Sequence, residues 1–409
     1  VKRLITTLLA FLLAPAVAQA RPVRDTVELR PDNELLVWHT LSQPQTAVLR
    51  RSLDVLSAKT GIVVRLETGM DIVKALLKQK RLGALPDAVL TASDLIAIAS
   101  DVSMSPIPKG LVHGDVQQRF VEEFSLDGKL FGIPVLSGNH LVLYSNAELV
   151  PKVATSFEEI ALQRAELEKI GVSAVGVPVG EPYYFLPFLM QAGVLENGVL
   201  DPNFGTKWGL LARAMESYGK LISSGLIPAR CSFSCVGSEF FEGKFAYAIT
   251  GDWQFSEAKT ALGKNLRVSP LPSLGGKPLR SVSTSQGLFF PGNALASGRQ
   301  AALRRFVQHL LDATVQFQLA AETGRVPVVM AALDRLSKSD MNEQQKNLIR
   351  VSAESTTLRS TRETVLTWLL LKKALAFQIQ EAAPPETIVR FLEGRTALQL
   401  RRYREVAVP

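Results

Sequence analysis

The chain has 409 residues, of which 47% are hydrophobic and 21% charged, with a formal net charge of +8. That balance reads as a globular protein with large cores, and the length allows two or three domains. The basic excess is thin: KQKR (78–81) and RRYR (401–404) lack the aromatic interleaving of a nucleic-acid groove and read as solvated helix faces, so no nucleic acid is expected as a partner.

The first twenty residues read as a cleaved export signal. Lys2 and Arg3 precede the apolar run LITTLLAFLLAPAVA, and AQA (18–20) is a small-x-small cleavage site. Cleavage is expected after Ala20, leaving a net charge of +6 once Lys2 and Arg3 are gone. No cysteine stands near that site to carry a lipid, and no later apolar run reaches the ~18 residues of a spanning helix. A free periplasmic protein, expected to be a monomer, follows. The two cysteines, Cys231 and Cys235 in CSFSC, have no further metal ligands nearby. A short-loop disulfide suits an oxidising compartment, with two buried thiols as the alternative.

In chain order, residues 21–34 read as a polar tail. ELLVWHT (34–40) is a strand and PQTAVLRRSLDVLSAKTG (44–61) a helix stopped by Gly61. IVVRLETG (62–69) is a strand, MDIVKALLKQKRLGA (70–84) a helix and PDAVLTAS (86–93) a third strand. This alternation predicts an α/β domain with a largely parallel sheet. Ligands of such sheets bind outside the carboxyl ends of the strands. FSLDGKLFGIPVL (124–136) carries a DG hairpin turn, and HLVLYSNAEL (140–149) is a strand. Helices follow at 156–170 and 205–224, a strand at FAYAITGDW (245–253), a Pro/Gly-rich connector at 267–278 and a strand at SQGLFFPGNA (285–294). Beyond about residue 299 the pattern is helical.

Several of these segments, in this order, resemble the extracellular solute-binding proteins of ABC importers, in the branch typified by the maltose-binding protein. LLVWHT, LPDAVLTASDL, DGKLFGIPVLSGNHLVLYSNAEL, EPYYFLPFLMQAG, FFEGKFAYAITGDWQFSEAK, TGRVPVV and a late helix with Trp368 carry the resemblance. It covers nearly all of the mature chain. It implies an α/β, two-lobed type II binding-protein fold with a ligand cleft between the lobes. The N-terminal lobe is expected over 22–138 plus 287–326, and the C-terminal lobe over 139–286 plus 327–409. It further implies a carbohydrate ligand, delivery to ABC permease subunits in the inner membrane, no cofactor and no catalysis.

By that resemblance Glu181 accepts from sugar hydroxyls while Tyr183, Tyr184, Trp253, Phe255 and Trp368 offer flat faces to the ring. Read locally, Glu181 is instead an acid in a first helical turn with Pro182 at N1. Trp368 also fits a buried stripe, and Asp94 reads either as a cleft acid or as the cap of DLIAIAS. Ser42 and Gln43 stand at the outlet of the first strand, and Asn139 at a lobe crossing, facing ligand or hinge. Trp208 is expected outside the cleft. Where the maltose-binding protein has an Asp-Lys pair this chain has Ser42-Gln43, and Thr91, Leu95 and Gly138 replace a Trp, an Arg and a Glu. Maltose itself is thereby put in doubt, while a sugar stays favoured.

Four other readings share these residues. Adjacent tyrosines clamp ferric iron in some binding proteins, but His39, His113, His140 and His309 are the only histidines. A glycerol phosphate would need a clear cationic or Gly-rich nest. Glu181 and Asp252 would be the acid pair of a glycosidase. A sensor partner for a membrane receptor would share fold and site.

Overall fold

The computed structural model describes residues 30–407, apart from 113–114, 197, 200–203, 205–206 and 362. The predicted export signal, residues 1–20, and His113 lie outside the described residues. In chain order the strands are β1 Glu34–His39, β2 Val63–Glu67, β3 Ala88–Ala92, β4 Ser125–Leu126, β5 Lys129–Leu130, β6 Gly132–Ser137, β7 Leu141–Asn146, β8 Ser173–Gly176, β9 Phe245–Gly251, β10 Leu266–Ser269, β11 Val282–Ser283, β12 Gln286–Phe289, β13 Val326–Pro327 and β14 Thr356–Thr357. Two compact units share them. Unit 1 holds the described chain up to Asn139, Thr284–Met341 and a short return beginning at Ser360. Unit 2 holds His140–Ser283, Asn342–Arg359 and the chain from Glu363 onward.

Unit 1 is built on a six-stranded sheet of order β13-β6-β12-β3-β1-β2. β1 runs parallel to β2 and β3, whereas β12 is antiparallel to β3 and β6, and β13 is antiparallel to β6. Four strands therefore point one way and two the other. The sheet is mixed, not largely parallel as the alternation predicts, because chain returning at Thr284 inserts β12 between β3 and β6.

Local chemistry explains the elements. The helix Gln43–Thr60 has Pro44 in its first turn and buries Val48, Leu49, Leu53 and Leu56 on one face. It ends where Gly61, at φ 72°, returns its N–H to the Ser57 carbonyl at 2.8 Å. Asp127 and Gly128, at φ 51° and 74°, supply the two positive dihedrals that a tight hairpin between β4 and β5 needs. The core joins Leu35 and Val37 of β1, Leu90 of β3, Ile133 of β6 and Leu288 of β12 to Leu303 and Phe306 of the helix Gln300–Leu310. Each such side chain contributes roughly 1.5–3 kcal/mol by burial. Asp87, just before β3, is almost fully buried; it pairs with Arg30, accepts from Leu36 N at 2.7 Å and lies 3.6 Å from Arg299.

Unit 2 carries a four-stranded sheet of order β10-β7-β9-β8. β7 is antiparallel to β9 and β10, and β8 is parallel to β9. Every residue of β7 and β9 is buried, which is why LVLYSN and FAYAITG read as near-continuous apolar runs. Helices Phe157–Lys169, Pro182–Gln191, Trp208–Ser223 and Thr364–Gln380 belong to this unit. Two two-residue strands, β13 and β14, interrupt the stretch predicted as helical. β14 pairs with β11, and β13 closes the edge of the unit 1 sheet. Cys231 and Cys235 are bonded, with Cα atoms 5.6 Å apart. Among the described residues no helix is long and apolar enough to cross a membrane.

Candidate functional site

In unit 2 an acid, a lysine and three aromatic rings meet. Glu181 stands at the N-cap of the helix Pro182–Gln191, yet its carboxylate makes no capping bond. It turns instead to Lys372, whose Nζ donates to Oε1 at 3.3 Å. Pro182 fills the first helical position, where its missing N–H costs nothing. Tyr183, half-buried, donates from its hydroxyl to the Val282 carbonyl at 3.2 Å. Its ring centroid lies 6.1 Å from Trp253 and 6.4 Å from Trp368.

Each tryptophan is placed by its own element. Trp253 sits on a short 3-10 turn, Asp252–Gln254, directly after β9. Gly251 leaves room for it: a Cβ there would stand 1.9 Å from the indole. His140 and Asp252 brace the same corner, both fully buried, with Nδ1 3.6 Å from Oδ2 and Asp252 N donating to the His140 carbonyl at 3.1 Å. Trp368 lies on the helix Thr364–Gln380, 8% exposed, and its buried Nε1 has no partner among the described residues. Lys372 follows it by one helical turn.

Two predicted aromatics stand elsewhere. Tyr184 is 3% exposed; its hydroxyl lies 3.4 Å from Thr250 Oγ1 and its ring edge-on to Phe233. Burial raises its hydroxyl pKa, and the Glu181 charge adds to that. Phe255 is 2% exposed. Both belong to the interior of unit 2. Trp208 is apart from that group and packs on Phe204 at 5.5 Å.

The unit 1 candidates sit at strand ends. Ser42 caps the helix Gln43–Thr60, with its N–H held by Gln45 Oε1 at 3.1 Å, and Gln43 is exposed. Asn139, at φ 50°, donates from Nδ2 to Thr284 Oγ1. One residue on, Ser285 N donates to Glu123 Oε1 at 2.5 Å, and Ser93 Oγ donates to the same oxygen at 2.5 Å. Glu123 is 3% exposed, and burial pushes its pKa up to about 7 against these two hydrogen bonds; the nearby Asp94 charge raises it further. Asp94 lies in the first turn of the 3-10 helix Ser93–Ile98 after β3, and burial raises its carboxyl to about 6, partly offset by the Asp94 and Leu95 N–H groups. His39, at the end of β1, is buried and held neutral, its pKa lowered to about 4 by desolvation and then by Arg50.

Sequence reasoning missed Lys372 and Glu123. The i,i+4 spacing from Trp368 to Lys372 was the available signal for the first. Nothing local marks Glu123. A surface depression of about 640 Å³ in unit 1, lined by Phe317, Ala331, Asp334, Arg335, Lys338 and Ser339, contains none of the predicted residues. No group of three or more His, Cys, Asp or Glu among the described residues is placed to hold a metal ion. Residues 54–346, well over half of the chain, match the family model described as bacterial extracellular solute-binding protein. Glu181, Tyr183 and Trp253 fall inside the matched span; Trp368, Lys372, Ser42 and Gln43 fall outside it.

Proposed function

The chain belongs to the bacterial extracellular solute-binding proteins, the substrate-binding subunits of ABC importers, and from that membership we propose that its ligand is a carbohydrate. A maltodextrin-like or other oligosaccharide fits, handed on to the permease subunits. The observation that carries this reading is the Tyr183–Trp253–Trp368 group beside the Glu181 carboxylate. A pyranose has apolar C–H faces and a rim of hydroxyls. It is held by flat rings and by a charged acceptor.

In this reading the two units are the lobes of a type II binding protein. Asp94, Ser42, Gln43 and Asn139 are the unit 1 contributors, and Tyr184 and Phe255 support the ligand face from within unit 2. Ligand closes the lobes by bending where the chain crosses from one to the other. An X-ray scattering profile unchanged by saturating sugar would sink the closure.

The rival ligands find less support. A ferric clamp needs two available phenols, whereas the Tyr183 hydroxyl is engaged by Val282 and Tyr184 is buried. The cation a phosphate would use, Lys372, already pairs with Glu181. A glycosidase would need Asp252 open to substrate, and it is fully buried against His140.

The test is intrinsic tryptophan fluorescence of the protein titrated with mono- and oligosaccharides, ferric citrate and glycerol phosphates. A saturable shift with one sugar class, lost in Trp253→Ala, is the expected result. Silence with every sugar and a response to iron or phosphate would overturn the ligand class and leave the family unchanged.

A further inference from the structure

Glu181 and Tyr183 emerge at the start of a helix, where the first N–H groups lack intrahelical partners and the backbone is held by what lies around it. The chain reaches them through residues 176–180. That approach leans repeatedly on the segment closed by the disulfide. Val179 N donates to the Cys231 carbonyl at 3.2 Å, and the Val179 carbonyl accepts from Tyr218 Oη at 3.3 Å. Gly176 lies so close to Cys235 that a Cβ would stand 2.8 Å from its carbonyl oxygen. Phe233, midway between the cysteines, sets its ring edge-on against Tyr184, with centroids 6.1 Å apart and planes at 70°. The two ends and the middle of the bridged loop thus touch 176, 179 and 184, on both sides of Glu181 and Tyr183.

The bridge is not placed as a redox switch, since Cys231 is 4% exposed and Cys235 0%. Its ring is also short, and a short ring removes less unfolded-state entropy than a long one. Its contacts suit a different task. We infer that the Cys231–Cys235 bridge is a positioning device for the ligand face, fixing the ledge on which the Val179–Tyr184 turn rests so that Glu181 and Tyr183 are ordered before ligand arrives. Ordering in advance spares the ligand the entropy of immobilising those side chains. The inference rests on the carbohydrate reading of Glu181 and Tyr183.

The experiment compares oxidised wild type with Cys231→Ser/Cys235→Ser by amide hydrogen exchange, sugar titration and thermal melting. Expected are faster exchange confined to residues 177–186 and sugar affinity weaker by about tenfold, the loss for one or two side chains left to be ordered by ligand. Unchanged exchange at 177–186 overturns the inference. So does faster exchange throughout unit 2 with unchanged affinity, the mark of a bridge that only adds stability. Should the double variant fail to fold, Phe233→Ala keeps the bond and removes the ring from Tyr184; it is expected to weaken affinity severalfold, and unchanged affinity overturns the inference. If wild type binds no sugar, the carbohydrate reading fails, while the exchange comparison still decides whether the bridge orders the turn.

Discussion

Lys372 Nζ lies 3.3 Å from Glu181 Oε1, and the two side chains are each about one-third exposed, at 37% and 34%. An ion pair so open to solvent contributes no more than about 1 kcal/mol to folding. On the carbohydrate reading its effect on ligand is expected to be larger, because it fixes which oxygen of Glu181 remains to accept from a hydroxyl. Glu181→Gln is expected to weaken sugar binding roughly 10- to 100-fold, the range for losing a hydrogen bond to a charged group. Lys372→Met is expected to weaken it less, with Lys372→Arg restoring most of it. Melting temperatures within a few degrees of wild type would locate the effect in binding.

Trp253→Ala removes a ring from the aromatic group, whereas Trp208→Ala removes one that packs on Phe204. Ring stacking is worth about 0.5–1.5 kcal/mol beyond area burial, so on the carbohydrate reading the first variant is expected to lose most of its sugar affinity and the second to keep it. Gly251→Ala provides an independent check. Gly251 has φ −93° and ψ 167°, which alanine adopts freely, so only the 1.9 Å approach to the indole forbids the methyl. It is expected to displace Trp253 and mimic its loss. Equal affinities in titrations of Trp253→Ala and Trp208→Ala would remove Trp253 from the site.

Glu123 and Asp94 give unit 1 a pH-dependent term. Burial raises Glu123 from 4.5 to about 7 and Asp94 from 3.8 to about 6, so the folded chain keeps protons that the unfolded chain has released. Stability from these groups therefore falls as pH rises through that window, by up to ~1.4 kcal/mol per pH unit for each proton. His39 acts the other way: with its pKa lowered from 6.5 to about 4, stability is lost as pH falls between those values. Glu123→Gln keeps an oxygen for Ser93 and Ser285 and discards the titration. Denaturant unfolding is expected to show it as stable as wild type near pH 5 and more stable at pH 8.

Asp87 is the buried acid that Arg30, Arg299 and the Leu36 amide share. Removing one partner of a buried pair strands the other charge, at a cost of about 3–5 kcal/mol. Asp87→Ala is expected to lower the denaturant midpoint sharply. A midpoint shift equivalent to less than about 1 kcal/mol would mean that water replaces the carboxylate.

What was legible in the sequence had a local cause. Gly61 ends its helix and Asp127-Gly128 turns its hairpin because each conformation is written in the residues that adopt it. β13 and β14 are two residues long and are defined by partners far away in the chain, so no local pattern announces them. The insertion of β12 between β3 and β6 is equally non-local. At the site, the acid and the aromatic residues were visible as types, but orientation was not. Tyr183 and Tyr184 are adjacent, and a helix turns neighbours by about 100°, which sends one to the aromatic group and the other to the interior.

The strand order of unit 1 also bears on the order of synthesis. β6 ends at Ser137, yet its two sheet neighbours, β12 and β13, begin at Gln286 and Val326. At ~5–20 residues per second, roughly 10–40 s separate a finished β6 from its last partner during translation. Until β12 is made, β3 and the facing edge of β6 are bare, and the other edge of β6 stays bare until β13 exists, so the first unit to begin is left open until most of the chain exists. A nascent chain arranged this way cannot complete its first sheet until late in synthesis, which suits a member of an extracellular protein family, whose task begins only after export.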